Sequence, residues 1–174
     1  MAAEKLPEVW LRGPVRNIPP LLQPVAHALL QAREEINELM KDFPDQLLWI
    51  KPANSASTGF HLQHLSGVLD RLLTYAKGNM LSEQQLIALK AEGDPHQSQA
   101  GSSELVELFN SQVEITIHAL QQVNQNTLTD FREVGRAQLP STVLGLLFHA
   151  AEHTMRHLGQ LIVTVRVVKQ LNML

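Results

Sequence analysis

Residues 147–160 read LFHAAEHTMRHLGQ and place three of the chain's eight histidines at intervals of four. Side chains four residues apart on an α-helix lie one above the other on the same face. The Cβ atoms of His153 and His157 are therefore expected about 5–6 Å apart, close enough for both rings to reach one metal ion. The apolar stripe of this helix continues on either side of the two rings, through Leu146, Ala150 and Leu161. The histidines thus occupy positions where packing would favour leucine, which indicates a functional site.

The composition is typical of one folded domain. At 174 residues the chain is long enough to bury a sizeable core without disulfides or metal ions. Apolar residues make up 44% of it, charged residues 18% and aromatic residues 5%. These proportions exclude a disordered chain, and the shortage of β-branched and aromatic runs favours helices.

Charge and hydropathy exclude two classes of partner. The net charge is −3 and the isoelectric point is near 6.2, and no basic cluster interrupts the sequence, so there is no electrostatic footprint for nucleic acid. No apolar run approaches the roughly 18–20 residues that a transmembrane helix needs. The segment Met1–Pro7 is not followed by an apolar signal core. We therefore expect a cytoplasmic protein with no membrane or nucleic-acid partner.

Four apolar stripes of helical periodicity predict four long helices. Their expected limits, in chain order, are Ile18–Leu21 to Pro44, Ser57 or Thr58 to Gly78, Ser102 or Ser103 to Val123, and Ser141 to about Lys169. The third stripe comprises Leu105, Leu108, Phe109, Ile115, Ala119, Leu120 and Val123. Between these helices the sequence allows a short helix near Ser82–Leu89 and a short strand or hairpin at Asp130–Val134.

This pattern predicts an all-α fold, a four-helix bundle with long connections between the second and third and between the third and fourth helices. The first 20 residues hold four prolines, so we expect an extended N-terminal arm over residues 1–17 and the bundle domain over 18–174. Isolated glycines at Gly59 and Gly159 predict close helix approaches and not phosphate-binding loops.

The predicted second helix adds His61 and His64 just after its start, on the side of its apolar stripe. Because the chain has no cysteine, any metal site must use histidine, aspartate, glutamate or water. One histidine from this helix and two from the fourth would form a facial three-nitrogen site inside a bundle. Such a site leaves positions open for water or substrate, as in catalytic metal centres.

Simpler interpretations apply to the other histidines. His27 and His118 occur singly on ordinary helices, and His96 lies in a polar loop. Residues 149–153 match H-x-x-E-H, an inverted zinc-protease motif, but Glu152 lies about 100° around the helix from His153 and offers no clear general base. Glu152 is better interpreted as a solvated residue or one that orients a histidine ring.

Two of these segments resemble known motifs. TGFHLQHL at 58–65, followed by DRLL at 70–73, resembles the second-helix signature of the DinB-like family. HAAEHTMRHLGQ at 149–160 is similar to that family's H-x-x-x-H-x-G-Q segment. With the helix order, the likeness spans roughly Ile18 to Val168. It implies a four-helix bundle, often dimeric, that holds one divalent metal ion. The ligands that it implies are His64, His153 and His157; it does not assign His61 and His149.

The resemblance implies a function only in outline, since the family includes metal-dependent thiol transferases and thiol-dependent isomerases. We expect a metal-dependent enzyme of the thiol-transferase type, with zinc or nickel at an open three-histidine site and a low-molecular-weight thiol as one substrate. The same site could activate water for hydrolysis. Arg71 and Arg156 are candidates for holding an anionic substrate group, or are solvated helix residues. The alternative is a non-enzymatic dimeric metal-binding or stress-associated protein with a structural or sensory metal.

Overall fold

The computed structural model describes residues 6–172, and four long helices build it. They are α1 (Gln23–Met40), α2 (Thr58–Ala76), α4 (Ser102–Gln121) and α5 (Val143–Leu171). A short helix, α3 (Glu83–Ala91), lies between α2 and α4. A hairpin of β1 (Phe131–Val134) and β2 (Leu139–Thr142) leads into α5. The predicted all-α bundle with two long connections is confirmed, and so are the short helix and the hairpin.

The long helices pack as a bundle in which α1 and α2 each contact both α4 and α5. The core between them consists of fully buried aliphatic side chains and one phenylalanine: Leu22, Leu29, Ile36, Leu62, Leu65, Leu69, Phe109, Leu120, Leu147, Leu158 and Leu161. Each such side chain contributes roughly 1.5–3 kcal/mol by leaving water. This apolar core holds α2 beside α5, which is the contact that matters for the site.

The start of the chain has some regular structure of its own. Residues 9–12 form a turn of 3-10 helix, and the backbone N–H of Val9 donates to the Gln31 side chain of α1 over 2.8 Å. Residues 1–5 of the predicted arm, and residues 173–174 of the predicted bundle domain, lie outside the described part of the chain. The domain boundary after residue 17 stays a prediction.

The start of α2 agrees with the sequence. Ser57 caps the helix by accepting from the backbone N–H of Phe60, and Gly78, at φ +79°, follows its end. Gly59 does allow a close approach, because a Cβ there would lie 2.5 Å from the Trp49 ring. The same prediction for Gly159 is wrong, since a Cβ at that position would meet no atom of residues 6–172 within 4 Å.

Two helix starts differ from prediction by one residue. α4 is capped by Gly101, while Ser102 uses its hydroxyl and its backbone N–H to donate to Asp45, 57 residues earlier, over 2.6 and 2.8 Å. These hydrogen bonds lower the pKa of Asp45. α5 is capped by Thr142, the last residue of β2, whose hydroxyl accepts from the backbone N–H of Gly145. Ser141, one residue earlier, is paired in β2 opposite Arg132.

The buried face of α4 is rotated around the helix from the predicted stripe. It includes Val106, Val113 and Ile117, which the stripe did not contain. Leu105 is 2% exposed, but Leu108 and Ile115 are 56% and 53% exposed. At 100° per residue these two side chains lie about 60° and 80° around the helix from Leu105, beyond the face that contacts α1 and α2. Among residues 6–172, no helix has the length and apolar character needed to cross a membrane.

This difference predicts unequal costs for two otherwise matched substitutions. Leu105→Ala should lower the free energy of unfolding by about 2–5 kcal/mol, because it leaves a cavity in the core. Leu108→Ala should change it by no more than about 0.5 kcal/mol. Chemical denaturation of both variants measures the difference. Equal losses would mean that the sequence stripe, and not the structure, describes the buried face of α4.

Candidate metal centre

Three of the predicted site residues lie together where α2 contacts α5. His64 in the second turn of α2 places its Nε2 atom 2.9 Å from Nε2 of His153 on α5. The ring centre of His157 lies 4.4 Å from that of His64 and 4.6 Å from that of His153. One nitrogen from each of the three rings lies within 4.8 Å of the others. The structure therefore assembles the three side chains that the sequence singled out.

The spacing of these nitrogens suits a metal ion. A histidine nitrogen binds zinc at about 2.0–2.1 Å, so two such ligands lie about 3.3–3.4 Å apart at the tetrahedral angle and about 2.9 Å apart at a right angle. The separation of 2.9 Å between the Nε2 atoms of His64 and His153 is close to the right-angle value. All three residues are only partly buried.

His64 has a defined tautomer. Its Nδ1 atom lies 2.7 Å from Glu92 Oε2. Because a carboxylate only accepts hydrogen bonds, Nδ1 of His64 carries the proton, and Nε2 of the neutral ring has a lone pair. The Phe60 ring stacks on His64, with ring centres 5.3 Å apart and 12° between the planes. Glu92 and Phe60 together fix the plane of this ring and the direction of its Nε2 lone pair.

His157 is oriented by His61, a histidine of α2 that is only 3% exposed. Their Nδ1 atoms lie 3.2 Å apart, so one ring donates to the other. When His157 is the donor, its Nε2 bears the lone pair that a metal ligand needs. Burial, and then the neighbouring His64, lower the pKa of both His61 and His157 to about 4. The same two causes lower the pKa of His153. The rings of His61 and His157 are therefore neutral at pH 7, as ligands must be.

The third ring, His153, tests whether the three histidines fit a metal ion. Its Nδ1 is buried and makes no hydrogen bond to any part of residues 6–172. If its proton lies on Nδ1, two lone pairs meet across 2.9 Å at the Nε2 atoms of His64 and His153. If the proton lies on Nε2, a bare acceptor is buried at Nδ1. A divalent cation between the Nε2 atoms removes the lone-pair repulsion in the first case, so the donor set fits such an ion.

The remaining predicted site residues form a separate network. His149 Nδ1 lies 2.7 Å from Glu152 Oε1, and Arg156 donates to both oxygens of Glu152 over 3.0 and 2.7 Å. Glu152 thus contacts the ring of His149 and not one of the three clustered rings. His149 and Glu152 are also near enough to His153 to form a second group of metal-binding type. Arg71 has a glutamate partner as well, since it donates to Glu92 over 2.6 Å.

Glu92 is the site residue that the sequence did not reveal. It follows the short helix α3, lies 28 residues from His64, and has a side chain only 8% exposed. No periodic pattern marks it, because α3 buries none of its own residues and has no apolar stripe. Burial raises the pKa of Glu92, but hydrogen bonds from His64 and Arg71 outweigh that effect and lower it overall.

Comparison with known proteins identifies the family of the chain. The sequence profile of the DinB superfamily matches residues 28–161, which is more than half of the chain. The chain belongs to the DinB superfamily. The family match covers α2 and the part of α5 that together carry the three clustered histidines. No curated protein sequence matches the chain.

Solved structures show the same fold. A conserved protein from Enterococcus faecalis superposes with a TM-score of 0.65 at 18% identity, covering 86% of this chain and 97% of its own. A DinB-like protein from Bacillus cereus gives a TM-score of 0.61 at 16% identity, covering 81% and 91%. At these identities the likeness establishes the DinB-like fold alone.

The lowered histidine pKa values predict how the metal-free protein responds to acid. The pKa of His61 and that of His157 are about 4 in the folded state and 6.5 in the unfolded chain. Between these two pH values the unfolded chain therefore binds more protons than the folded state. The stability that they contribute is complete above about pH 6.5 and is lost as the pH falls towards about 4. Denaturation of metal-free protein should therefore give a clearly lower free energy of unfolding at pH 5 than at pH 7.

The control is the double variant His61→Asn/His157→Asn, which lacks both groups. Its stability should fall less between the same two pH values, whatever its absolute stability. An equal fall in the variant and the natural protein would contradict the assignment of neutral, acid-sensitive rings at these positions.

Proposed function

We propose that this DinB superfamily protein is a metal-dependent enzyme of the thiol-transferase type. His64, His153 and His157 would hold one divalent ion, with zinc or nickel favoured because imidazole suits both. The observation that carries the proposal is the convergence of three partly buried histidines, one ring of which is fixed by a buried carboxylate. A ligand set of three leaves coordination positions for substrate.

When bound, the ion would favour the thiolate form of a low-molecular-weight thiol. The residues around it have distinct roles. His61 contacts Nδ1 of His157, so that the Nε2 of this ring is the nitrogen available to the ion. Phe60 covers one face of His64 and keeps water from it. The transfer itself forms a bond from sulfur to an electrophilic carbon and breaks that carbon's bond to a leaving group, which departs with the thiol proton.

Several features support an enzyme over a structural or sensory metal protein. The apolar core is continuous through all four long helices, and a core of this size folds without a metal. The three histidines are only partly buried, which supports an accessible coordination position. The ion pairs of Arg71 and Arg156 with glutamates argue against a simple role for either residue in holding an anionic substrate.

A homodimer remains our proposal for the assembly. Exposed apolar side chains on α5, among them Phe148 and Val163, each 61% exposed, supply surface that a second copy would cover.

Metal content tests the ligand set. Protein purified without a nickel column should contain, or take up, one divalent ion per chain. His153→Ala should abolish stoichiometric binding, because one of three ligands is gone. His118→Ala is the matched control, since His118 is an exposed histidine outside the cluster, and it should bind as the natural protein does. Full occupancy in His153→Ala would refute the assignment.

Activity and melting together separate a catalytic metal from a structural one. His64→Ala should abolish thiol-dependent turnover of electrophiles while the far-ultraviolet circular dichroism stays helical, because the core does not need the ion. Chelator should likewise remove activity and leave a cooperative melt. Unfolding on chelation, with no turnover of any electrophile tried, would favour the structural alternative, since metal-binding energy is then folding energy.

A further inference from the structure

A buried ion pair supports one of the three clustered rings from behind. Glu92 accepts from His64 Nδ1 through Oε2 and from Arg71 Nη1 through Oε1, over 2.7 and 2.6 Å. The side chains of Glu92 and Arg71 are 8% and 10% exposed. One carboxylate therefore connects a guanidinium and an imidazole, and both of its oxygens are used. A buried charge pair of this kind is costly to break, because the remaining partner is left uncompensated.

The backbone of α2 makes room for this pair. At Gly67 a Cβ would lie 2.5 Å from Arg71 Nη1 and 2.5 Å from Glu92 Oε1. Any larger residue would displace the two groups, since real Cβ contacts are essentially never shorter than 3.0 Å. Glycine in a helix costs about 1 kcal/mol relative to alanine. The space that Gly67 leaves is filled by the ion pair.

The element that carries Glu92 has little else to hold it. α3 buries none of its side chains, and its contacts with α2 are polar: Gln85 donates to Asp70 and Thr74, and the Gly93 N–H donates to Gln63. A residue serving only to attach α3 could bond any polar group of α2. Glu92 instead reaches the one nitrogen of His64 that faces away from the cluster.

We propose that Glu92, held by Arg71 in the space above Gly67, is the positioning residue that makes His64 a ligand. By accepting from Nδ1 it fixes the tautomer in which Nε2 bears the lone pair, and its charge makes that lone pair more basic. Arg71 fixes the carboxylate in turn. This inference rests on the proposed three-histidine metal site and adds a residue and a role to it.

The test compares Zn²⁺ affinity and the His64 tautomer in four proteins: the natural chain, Glu92→Gln, Gly67→Ala and Gly159→Ala. Loss of a partner of this kind typically weakens metal binding 10–100-fold. We expect that loss in Glu92→Gln, measured by competition with a chromophoric chelator. Gly67→Ala should show a smaller loss, because the ends of the Arg71 and Glu92 side chains must shift away from the new Cβ. Gly159→Ala is the matched control, because it is also a glycine-to-alanine change within a helix but adds a Cβ in open space. It should bind zinc as tightly as the natural protein.

The second readout needs no metal. Nitrogen-15 shifts of His64 in metal-free protein should report a proton on Nδ1 in the natural chain and in Gly159→Ala, and a mixture of tautomers in Glu92→Gln. A residue that only attaches α3 would not move this signal. Circular dichroism checks folding, and Arg71→Lys, which keeps the charge but not the planar geometry, replaces any variant that fails to fold.

Three outcomes decide the inference. Weaker zinc binding with a changed tautomer supports it. Natural zinc affinity in both Glu92→Gln and Gly67→Ala overturns it while leaving the metal site intact. If the natural chain binds no zinc, the proposed function fails. The tautomer alone then decides whether Glu92 fixes the protonated nitrogen of His64. Unchanged nitrogen-15 shifts of His64 in Glu92→Gln overturn the inference.

Discussion

The contact between α2 and α5 is the constraint on which the site depends. It brings two imidazole nitrogens to 2.9 Å, a distance that neutral rings tolerate only with a proton or a cation between them. The apolar core of the bundle enforces this approach, since the leucines beside the rings are buried on both helices. The same burial lowers the pKa of His61 and His157 and keeps both neutral. Packing thus supplies both the position and the protonation state that a ligand needs.

The three clustered rings are supported in different ways. His64 has a carboxylate behind it, His157 has a second histidine, and Nδ1 of His153 is buried without a hydrogen-bond partner in residues 6–172. The orientation of His153 therefore comes from packing in the middle of α5. The orientation of His64 depends instead on a residue that follows α3, a short helix with no buried side chains. The least embedded helix of the fold thereby contributes directly to the site.

The sequence predicted those features of the fold that depend on the periodicity of neighbouring residues. The four long helices and the shared face of His153 and His157 follow from the 3.6-residue repeat. The second stripe left His61 and His64 as equal candidates, and the choice of His64 came from the resemblance to the DinB-like family. Prediction from the sequence failed where residues that are far apart in the chain come into contact. The fold of a polar segment brings Glu92 to His64. Ser102 donates a hydrogen bond to Asp45, which lies in another part of the chain. Leu108 and Ile115 fit a helical stripe, but only the neighbours in the bundle determine which side of α4 is buried.

X-ray absorption at the edge of the bound metal tests the central claim most directly. For protein loaded with one equivalent of zinc, the account predicts three imidazole nitrogens at about 2.0–2.1 Å, with any remaining ligands being oxygen from water or buffer. Addition of a low-molecular-weight thiol should then replace an oxygen by sulfur at about 2.3 Å. A first shell with fewer than three imidazoles, or one already closed by four protein ligands and unchanged by thiol, would contradict it.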